Sequence, residues 1–228
     1  MNSEQREINI PPLPDEALHA GSILFCGGTF DPVHRAHVEL PVMARDRLGC
    51  DYLLYVPTSI SPFKRDTQAA PPEDRLAMLR LALENQPRTG IWTYEINNPG
   101  VHYTVDTLAV LHSLINDNVT VYLLMGADQA KSLHRWKEAG RLVTLCRPVF
   151  MLRPPDTGET VKEALKKYWP GNTAEKLADS IVELPLVDIS ATSVREKLAK
   201  GEDVNDLLHA RVYEYIKQHG LYGSGKDN

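Results

Sequence analysis

The most informative segment of the chain is residues 23–37, which read ILFCGGTFDPVHRAH. Its first four residues are apolar and predict a strand over 23–26. Gly27 and Gly28 then remove side chains where the strand turns, so backbone N–H groups can approach a phosphate. A helical pattern follows over 38–48, and a helix N-terminus offers more donors and a partial positive charge. The segment therefore predicts a strand, a phosphate-binding turn and a helix.

Two histidines stand at the end of this segment. His34 and His37 would lie on one side of the helix if the helical turn already begins there. The alternative is a plain tight turn in which Asp31 and Pro32 begin the helix and both histidines are surface residues. A zinc site at the two histidines is disfavoured because no further Cys or His lies nearby at ligand spacing.

The remaining sequence alternates short apolar runs with helical patterns, which is typical of a parallel sheet covered on both faces. Strands are predicted at residues 23–26, 52–56, 91–96, 119–125, 149–152 and 181–187. Helices are predicted at residues 38–48, 71–83, 103–114, 136–145, 192–199 and 211–219. We predict a single α/β domain over residues 22–223, a Rossmann-like, doubly wound parallel sheet with C-terminal helices. Residues 1–21 are expected to form a loosely ordered acidic tail, and residues 224–228 a short C-terminal tail.

Composition excludes several classes of protein. The 228 residues carry a net charge of −5, which argues against the broad basic surface that a nucleic acid requires. No apolar run approaches the roughly 18 residues of a membrane helix, so no membrane partner is expected. Cys26, Cys50 and Cys146 are odd in number and form no CxxC pair, which favours a reducing compartment. We therefore expect a cytoplasmic protein.

A second strand-to-helix junction lies at residues 187–195, which read VDISATSVR. Backbone donors and hydroxyl groups again converge at a helix N-terminus, here with the permanent charge of Arg195 behind them. The alternative is structural, because Ser193 and Glu196 have the spacing of a helix capping box.

Three further positions between the two junctions are candidates for ligand contacts. Asp128 follows Gly126 at the end of the predicted strand 119–125, where a carboxylate can accept hydrogen bonds from ribose hydroxyls or cap a helix. Lys64, in a loop after the second strand, is either a phosphate contact or a surface lysine. Trp136 is either a core residue or a half-exposed indole that stacks on a cationic ring.

The two junctions together resemble a known family. Residues 28–37 are similar to the GTFDPxHxGH signature, and residues 189–195 to the ISxTxxR motif, of the HxGH nucleotidylyltransferases. The closest resemblance is to nicotinate mononucleotide adenylyltransferases, which share a GxD at 126–128, a YT at 103–104 and the tryptophan at 136. The resemblance covers nearly all of residues 22–223 and implies the nucleotidylyltransferase fold.

The resemblance implies an activity and a set of site residues. The activity is adenylyl transfer from ATP to nicotinate mononucleotide, giving deamido-NAD and pyrophosphate in NAD biosynthesis. His34, His37 and Arg195 are implied as the catalytic residues that hold the ATP phosphates, with Mg²⁺ carried in largely on the nucleotide and no metal bound by the protein. ATP would be bound by Gly28, Thr29, Phe30, Gly126, Asp128, Ile189, Thr192 and Arg195. The mononucleotide would be bound by Lys64, Thr104 and Trp136.

Three residues depart from the family pattern, and two other functions stay open. Ala36 replaces a glycine, Phe63 replaces a histidine in a PPHK pattern, and Lys137 replaces an aromatic residue. The first alternative is nicotinamide mononucleotide as the preferred substrate, which backbone groups at 97–104 would decide. The second is a nucleotide-sensing module without catalysis. Phosphopantetheine adenylyltransferases are disfavoured because those chains are shorter and lack the features at Lys64 and Trp136.

Overall fold

The computed structural model describes residues 8–59, 69–152, 155–185 and 187–224. The strands are β1 (Ser22–Gly28), β2 (Tyr52–Pro57), β3 (Thr89–Ile91), β4 (Thr120–Gly126), β5 (Arg147–Met151) and β6 (Ile181–Val182). The helices are α1 (Asp15–Leu18), α2 (Arg35–Leu48), α3 (Pro72–Leu83), α4 (Tyr94–Asn97), α5 (Thr104–His112), α6 (Ala127–Ser132), α7 (Ala139–Leu145), α8 (Gly158–Tyr168), α9 (Gly171–Ala178), α10 (Ala191–Ala199) and α11 (Ala210–Gln218). Short 3₁₀ helices lie at Leu133–Arg135 and Leu221–Gly223.

The strands over the described residues form one parallel sheet in the order β3-β2-β1-β4-β5-β6. In the central strand β1, Phe25 lies opposite Leu54 of β2 and Leu123 of β4. The strand order reverses between β1 and β4, and in doubly wound sheets ligands bind outside the carboxyl ends of the strands at such a point. The predicted Rossmann-like sheet is confirmed, and its topology locates the crevice.

Two apolar layers hold the helices to the sheet, one on each face. In β1 the side chains of Ile23 and Phe25 pack with Leu108 of α5, while Leu24 packs on the opposite face with Leu79 of α3. All of these side chains are almost completely buried. Burying one such side chain contributes about 1.5 to 3 kcal/mol to the free energy of folding. Because alternate residues of β1 point to opposite faces of the sheet, the strand stabilises the packing of helices on both faces.

The segment before β1 differs from the loosely ordered tail that the sequence predicts. Over its described part, residues 8–21, the apolar side chains of Leu13 and Ala17 lie in the core. The indole N–H of Trp92 donates a 3.0 Å hydrogen bond to the carbonyl oxygen of Pro11. The acidic residues Asp15 and Glu16 lie on the exposed side of α1, while Ala17 packs inward.

Two predicted strands are wrong in their bounds. The run at 91–96 was predicted as a strand, but β3 ends at Ile91 and residues 94–97 form α4. Trp92 still donates its N–H to Tyr55 of β2, after which the chain turns so that its indole is fully buried. The strand predicted at 181–187 is also shorter in the structure, where β6 ends at Val182.

Several helices also differ from their predicted limits. α2 begins at Arg35 rather than at residue 38, so His34 is its N-cap residue. The helix predicted at 136–145 begins only at Ala139, and Trp136 has extended backbone. α8 and α9 were not predicted, although Val161 and Leu165 have the spacing of a buried helical face. None of the helices in the described ranges is long and apolar enough to cross a bilayer.

Candidate active site

A cavity of about 500 Å³ opens at the carboxyl ends of β1, β4 and β5. This volume lies within the range of small-molecule sites. Most of the site residues predicted from the sequence line it, namely Gly28, Thr29, Phe30, His34, His37, Thr104, Gly126, Asp128, Trp136 and Ile189. Thr192 and Arg195 are not among the lining residues, and Lys64 and Phe63 lie outside the described residues. The crevice predicted by the strand order therefore contains most of the candidate residues.

The glycine turn brings backbone close to the cavity. A Cβ atom at Gly28 would lie 2.9 Å from the ring of Phe30, so the turn depends on the absent side chain. Phe30 itself adopts a φ of 51°, in the left-handed region. Its ring is 2% exposed and contacts the Tyr55 ring edge-on at 5.6 Å between centroids. Core packing therefore holds the turn in an uncommon backbone conformation.

The two histidines form one unit at the N-terminus of α2. Their rings are stacked with centroids 3.5 Å apart, and Phe30 meets His37 edge-on at 5.3 Å. The backbone N–H of His34 donates to Nδ1 of His37 at 3.3 Å. The hydroxyl of Tyr55 donates to the carbonyl oxygen of His37 at 2.8 Å. The interpretation of both histidines as surface residues is wrong for His34, which is 5% exposed.

The end of β4 presents a carboxylate to the cavity. Gly126 is the N-cap residue of α6, and its N–H donates to Oε1 of Gln129 at 3.0 Å. Asp128 is therefore not the cap of this helix, and its side chain is exposed at the cavity wall. A Cβ atom at Gly126 would lie 2.6 Å from Oδ1 of Asp128, so the glycine makes room for the carboxylate.

Thr104 and Trp136 lie at another part of the same cavity. Thr104 begins α5, and the half-buried Trp136 packs on the core with one side while it lines the cavity. Lys137 is directed elsewhere, because its ammonium group contacts Asp106 at 2.7 Å and the Tyr103 ring at 4.9 Å. Trp136 is thus placed where an indole face can meet a ligand ring.

The second motif begins α10 and reaches back to the first. Ser190, rather than Ser193, is the N-cap residue, because its Oγ accepts the N–H of Ser193 at 3.1 Å. Nη1 of Arg195 donates to the carbonyl oxygen of Asp31 at 2.6 Å, and Nη2 donates to Oγ1 of Thr192 at 3.4 Å. Asp31 is therefore not the cap of α2, whose N-cap residue is His34. The backbone carbonyl of Asp31 instead joins the first motif to Arg195 of the second.

Sequence reasoning missed a buried arginine that braces this region. Arg75 of α3 is 1% exposed and donates to the carbonyl oxygens of Thr29, Thr58 and Ser59 at 2.7 to 2.9 Å. It also donates to the carbonyl oxygen of Ala70 at 3.0 Å. A signal was available, because an arginine at position 75 shares the spacing of the buried residues 78, 79 and 82.

Two other polar residues at the cavity were also missed. Glu95 and His102 line it, and Oε1 of Glu95 accepts the hydroxyl of Thr107 at 2.7 Å. Burial raises the pKa of Glu95, which is 4% exposed. Cys26 lines the cavity too, but burial raises the pKa of its thiol to about 12, so it is no nucleophile at neutral pH.

Comparison with known proteins identifies the family of the chain. The sequence profile of the family described as cytidylyltransferase-like matches residues 25–197. The chain therefore belongs to the cytidylyltransferase-like family. Proteins named probable nicotinate-nucleotide adenylyltransferase are among its relatives. Those of Dehalococcoides mccartyi (strain CBDB1) and Roseiflexus sp. (strain RS-1) are 37% and 39% identical, over 86% of this chain and 94% and 95% of theirs.

Solved structures show the same fold. Nicotinic acid mononucleotide adenylyltransferase of Plasmodium falciparum, complexed with NaAD, superposes with a TM-score of 0.70 at 21% identity. The superposition covers 90% of this chain and 99% of the other. The nucleotidylyltransferase fold predicted from the two motifs is thereby confirmed.

Proposed function

We propose that this chain transfers the adenylyl group of ATP to nicotinate mononucleotide, giving deamido-NAD and pyrophosphate in NAD biosynthesis. The observation that carries the proposal is the contact between the two motifs, in which Arg195 donates to the carbonyl oxygen of Asp31 across 164 positions of sequence. This contact puts a permanent positive charge beside the glycine turn and the paired histidines. The relatives that carry the name of this activity extend over most of the chain, which supports the same conclusion.

The reaction makes modest chemical demands on the protein. The nucleophile is the phosphate of the mononucleotide, which is already an anion at neutral pH and needs no general base. Catalysis then consists of aligning two polyanions and neutralising charge as pyrophosphate leaves. In this proposal His34, His37 and Arg195 hold the phosphates of ATP. Their imidazole and guanidinium groups are donors, as that task requires.

The two substrates would occupy different parts of the cavity. We assign the ATP phosphates to the turn at Gly28, Thr29 and Phe30 and to the N-terminus of α10 with Ile189 and Thr192. The ribose of ATP is assigned to Asp128, with Gly126 leaving space for its carboxylate. The mononucleotide is assigned to Thr104, to Trp136 for stacking on the pyridinium ring, and to Lys64, which lies outside the described residues. Ala36 lines the cavity and is 7% exposed, so one methyl group stands where the family has glycine.

The donor set suits a magnesium ion that enters with ATP. Within the described ranges no group of three or more His, Cys, Asp or Glu is arranged to hold a metal. The carboxylates at the cavity wall are Glu95 and Asp128, a sparse supply of the hard oxygen ligands that Mg²⁺ prefers. Mg²⁺ commonly keeps water and phosphate oxygens as ligands. Bound in this way, the ion would neutralise charge on the departing pyrophosphate.

We place the reaction in the cytoplasm. The thiols of Cys26, Cys50 and Cys146 are all buried and free, which is the usual state of cysteine in a reducing compartment. The helices of the described ranges offer no membrane span, which is compatible with this assignment.

The proposal is tested by pyrophosphate release from ATP and Mg²⁺ with each of the two mononucleotides in turn. The expected result is turnover with nicotinate mononucleotide and a clearly lower kcat/KM with nicotinamide mononucleotide. The opposite preference would identify the amide as the substrate. Tight ATP binding without release of pyrophosphate from either mononucleotide would identify a nucleotide sensor instead.

The variant Arg195→Lys is a matched probe of the site, because it keeps the charge and removes the planar fork. We expect kcat to fall about 100-fold, within the range for loss of one aligned donor. Arg211→Lys is its control, since Arg211 pairs with Glu84 at the surface, between α11 and α3.

A further inference from the structure

The C-terminal end of the described chain returns to the first motif. Tyr222 follows α11, and its hydroxyl donates a 2.6 Å hydrogen bond to Oδ1 of Asp31. The two residues are separated by 191 positions of sequence. Tyr222 holds a φ of 58°, so its backbone lies in the left-handed region that a side chain disfavours. A tyrosine kept in this conformation, with its hydroxyl on a buried carboxylate, suggests that the contact has a use.

The carboxylate of Asp31 is divided between two sets of partners. Oδ1 accepts the Tyr222 hydroxyl and also the backbone N–H of Ala70 at 3.1 Å. Oδ2 lies 3.7 Å from Nη1 of Arg195. The side chain of Asp31 is only 9% exposed, so water has little access to compete for these positions. Because Oδ1 accepts hydrogen bonds from two donors, the orientation of the Asp31 carboxylate is fixed, and only Oδ2 faces Arg195.

Arg195 is thereby held by its bond to the backbone of Asp31, with the carboxylate oxygen Oδ2 beyond direct hydrogen-bond distance. Its Nη1 donates to the carbonyl oxygen of Asp31 at 2.6 Å, and its side chain is 27% exposed. If Oδ1 lost a donor, the carboxylate could rotate and bind the guanidinium closely, which would direct the charge away from a phosphate. The 2.6 Å hydrogen bond from the Tyr222 hydroxyl opposes that rotation, because the rotation would break it.

We propose that Tyr222, acting through Asp31, is a positioning residue that keeps Arg195 directed at the phosphates of ATP. The inference rests on the proposed function, in which Arg195 contacts those phosphates. Tyr222 contacts neither substrate and acts by competing for Oδ1 of Asp31.

The surrounding charges agree with this role. Burial and the hydrogen bond to Asp31 raise the pKa of Tyr222, so its hydroxyl stays a donor throughout the neutral range. Among the residues that the structure describes, the guanidinium groups near Asp31 are those of Arg195 and the buried Arg75, and Arg75 already donates to the carbonyl oxygens of Thr29 and Thr58. With Arg75 engaged in this way, Arg195 is the guanidinium that a released Asp31 would attract.

The test is a double-mutant cycle on the full chain with Tyr222→Phe and Arg195→Ala. Binding of α,β-methylene-ATP with Mg²⁺ is measured by calorimetry, and KM is measured for both substrates. Tyr222→Phe should weaken analogue binding and raise KM for ATP about five- to tenfold, as expected for a charged hydrogen bond. KM for nicotinate mononucleotide should change less than about twofold. In the Arg195→Ala background, Tyr222→Phe should have no further effect.

The matched control is Tyr215→Phe. Tyr215 of α11 also donates its hydroxyl to an aspartate, Asp74 of α3, at 2.8 Å, but that pair does not contact Arg195. Its loss should leave KM for ATP unchanged even if the melting temperature falls as much as in Tyr222→Phe.

The outcomes distinguish the positioning role of Tyr222 from the proposed function of the chain. Equal effects of Tyr222→Phe with and without Arg195, or equal rises of KM for both substrates, would overturn the positioning role. So would failure of the wild-type chain to bind the analogue. If Tyr222→Phe weakens analogue binding only when Arg195 is present, but the wild-type chain forms no dinucleotide, the positioning role of Tyr222 is upheld and the proposed function is overturned.

Discussion

The ring of His37 is fixed in the site by its immediate neighbours. Its Nδ1 accepts a backbone N–H, so the neutral ring that fits this bond carries its proton on Nε2. Stacking against His34 and the edge of Phe30 limits rotation of the ring. An imidazole held in one tautomer and orientation is a preorganised donor, which is what stabilisation of a departing pyrophosphate requires.

The variant His37→Ala tests that assignment. Removing one preorganised donor should lower kcat about 10²- to 10³-fold, or roughly 3 to 4 kcal/mol of transition-state stabilisation. Steady-state kinetics checks the result, and circular dichroism verifies folding. His19→Ala is the control, because His19 is exposed and contacts the backbone of Asp15 at 2.8 Å. Near-normal turnover of folded His37→Ala would contradict the assignment.

The variant Gly126→Ala tests the ribose contact of Asp128. The new methyl group would lie 2.6 Å from Oδ1, so the carboxylate must move. We expect KM for ATP to rise about tenfold, the value of one charged hydrogen bond, while KM for the mononucleotide changes little. Gly140→Ala in α7 is the control, because its added Cβ would meet nothing within 4 Å beyond its chain neighbours and the backbone of its own helix. An unchanged KM for ATP in Gly126→Ala would show that Asp128 does not bind the ribose.

At the scale of elements, the sequence predicted what local pattern controls. The central strands and the helix N-termini were predictable because apolar runs, glycines and hydroxyl residues act over a few positions. β3 and β6 were predicted too long, because the apolar residues that continue past Ile91 and Val182 lie outside the sheet. α1 was missed because four residues of helix depend on packing rather than on propensity.

The packing of the N-terminal segment gives a prediction for stability. Leu13 is 4% exposed and packs in the core beside α1, so Leu13→Ala should lower the free energy of unfolding by about 2 to 3 kcal/mol. Leu18→Ala in α1 is the matched control, because Leu18 is 38% exposed and should change stability by about 0.5 kcal/mol or less. Urea unfolding of both variants provides the measurement. Equal, small effects would mean that this segment adds little to the core.

At the scale of the whole molecule, the site depends on contacts between distant parts of the chain. Both motifs could be read from the sequence because each has a fixed local spacing. The sequence did not predict the hydrogen bond between the two motifs, from Arg195 to Asp31. Nor did it predict the contacts that Tyr222 and Arg75 make with the first motif, because only the fold brings these residues together. The net charge of −5 is likewise compatible with an anion site, since histidine, arginine and backbone donors are concentrated at one edge of the sheet.

Glu95 links the pH to the stability of the whole fold. Burial raises its pKa in the folded state, so the folded chain binds this proton more tightly than the unfolded chain. Its contribution to stability is greatest below the ordinary carboxyl pKa and is lost as the pH rises through the raised value. Glu95→Gln removes this dependence, so the stability advantage of the wild type over the variant should shrink as the pH rises from below the ordinary carboxyl pKa through the raised pKa of Glu95.

Urea unfolding at several pH values checks this expectation. Glu163→Gln on the exposed face of α8 is the control and should show no such trend. A wild-type advantage over Glu95→Gln that grows with pH would mean that the buried carboxylate is stabilised in its charged form. The electrostatic interaction of Glu95 with His102, which lowers the pKa of Glu95, would be the source of that effect.

The position of an isotope label in the products distinguishes adenylyl transfer from hydrolysis of ATP. The purified chain is supplied with Mg²⁺, nicotinate mononucleotide and ATP labelled either at the α-phosphate or at the γ-phosphate. We predict that the α label appears in deamido-NAD and the γ label in pyrophosphate, in equal amounts. Release of the γ label as orthophosphate, or the absence of the α label from any dinucleotide, would contradict adenylyl transfer to nicotinate mononucleotide.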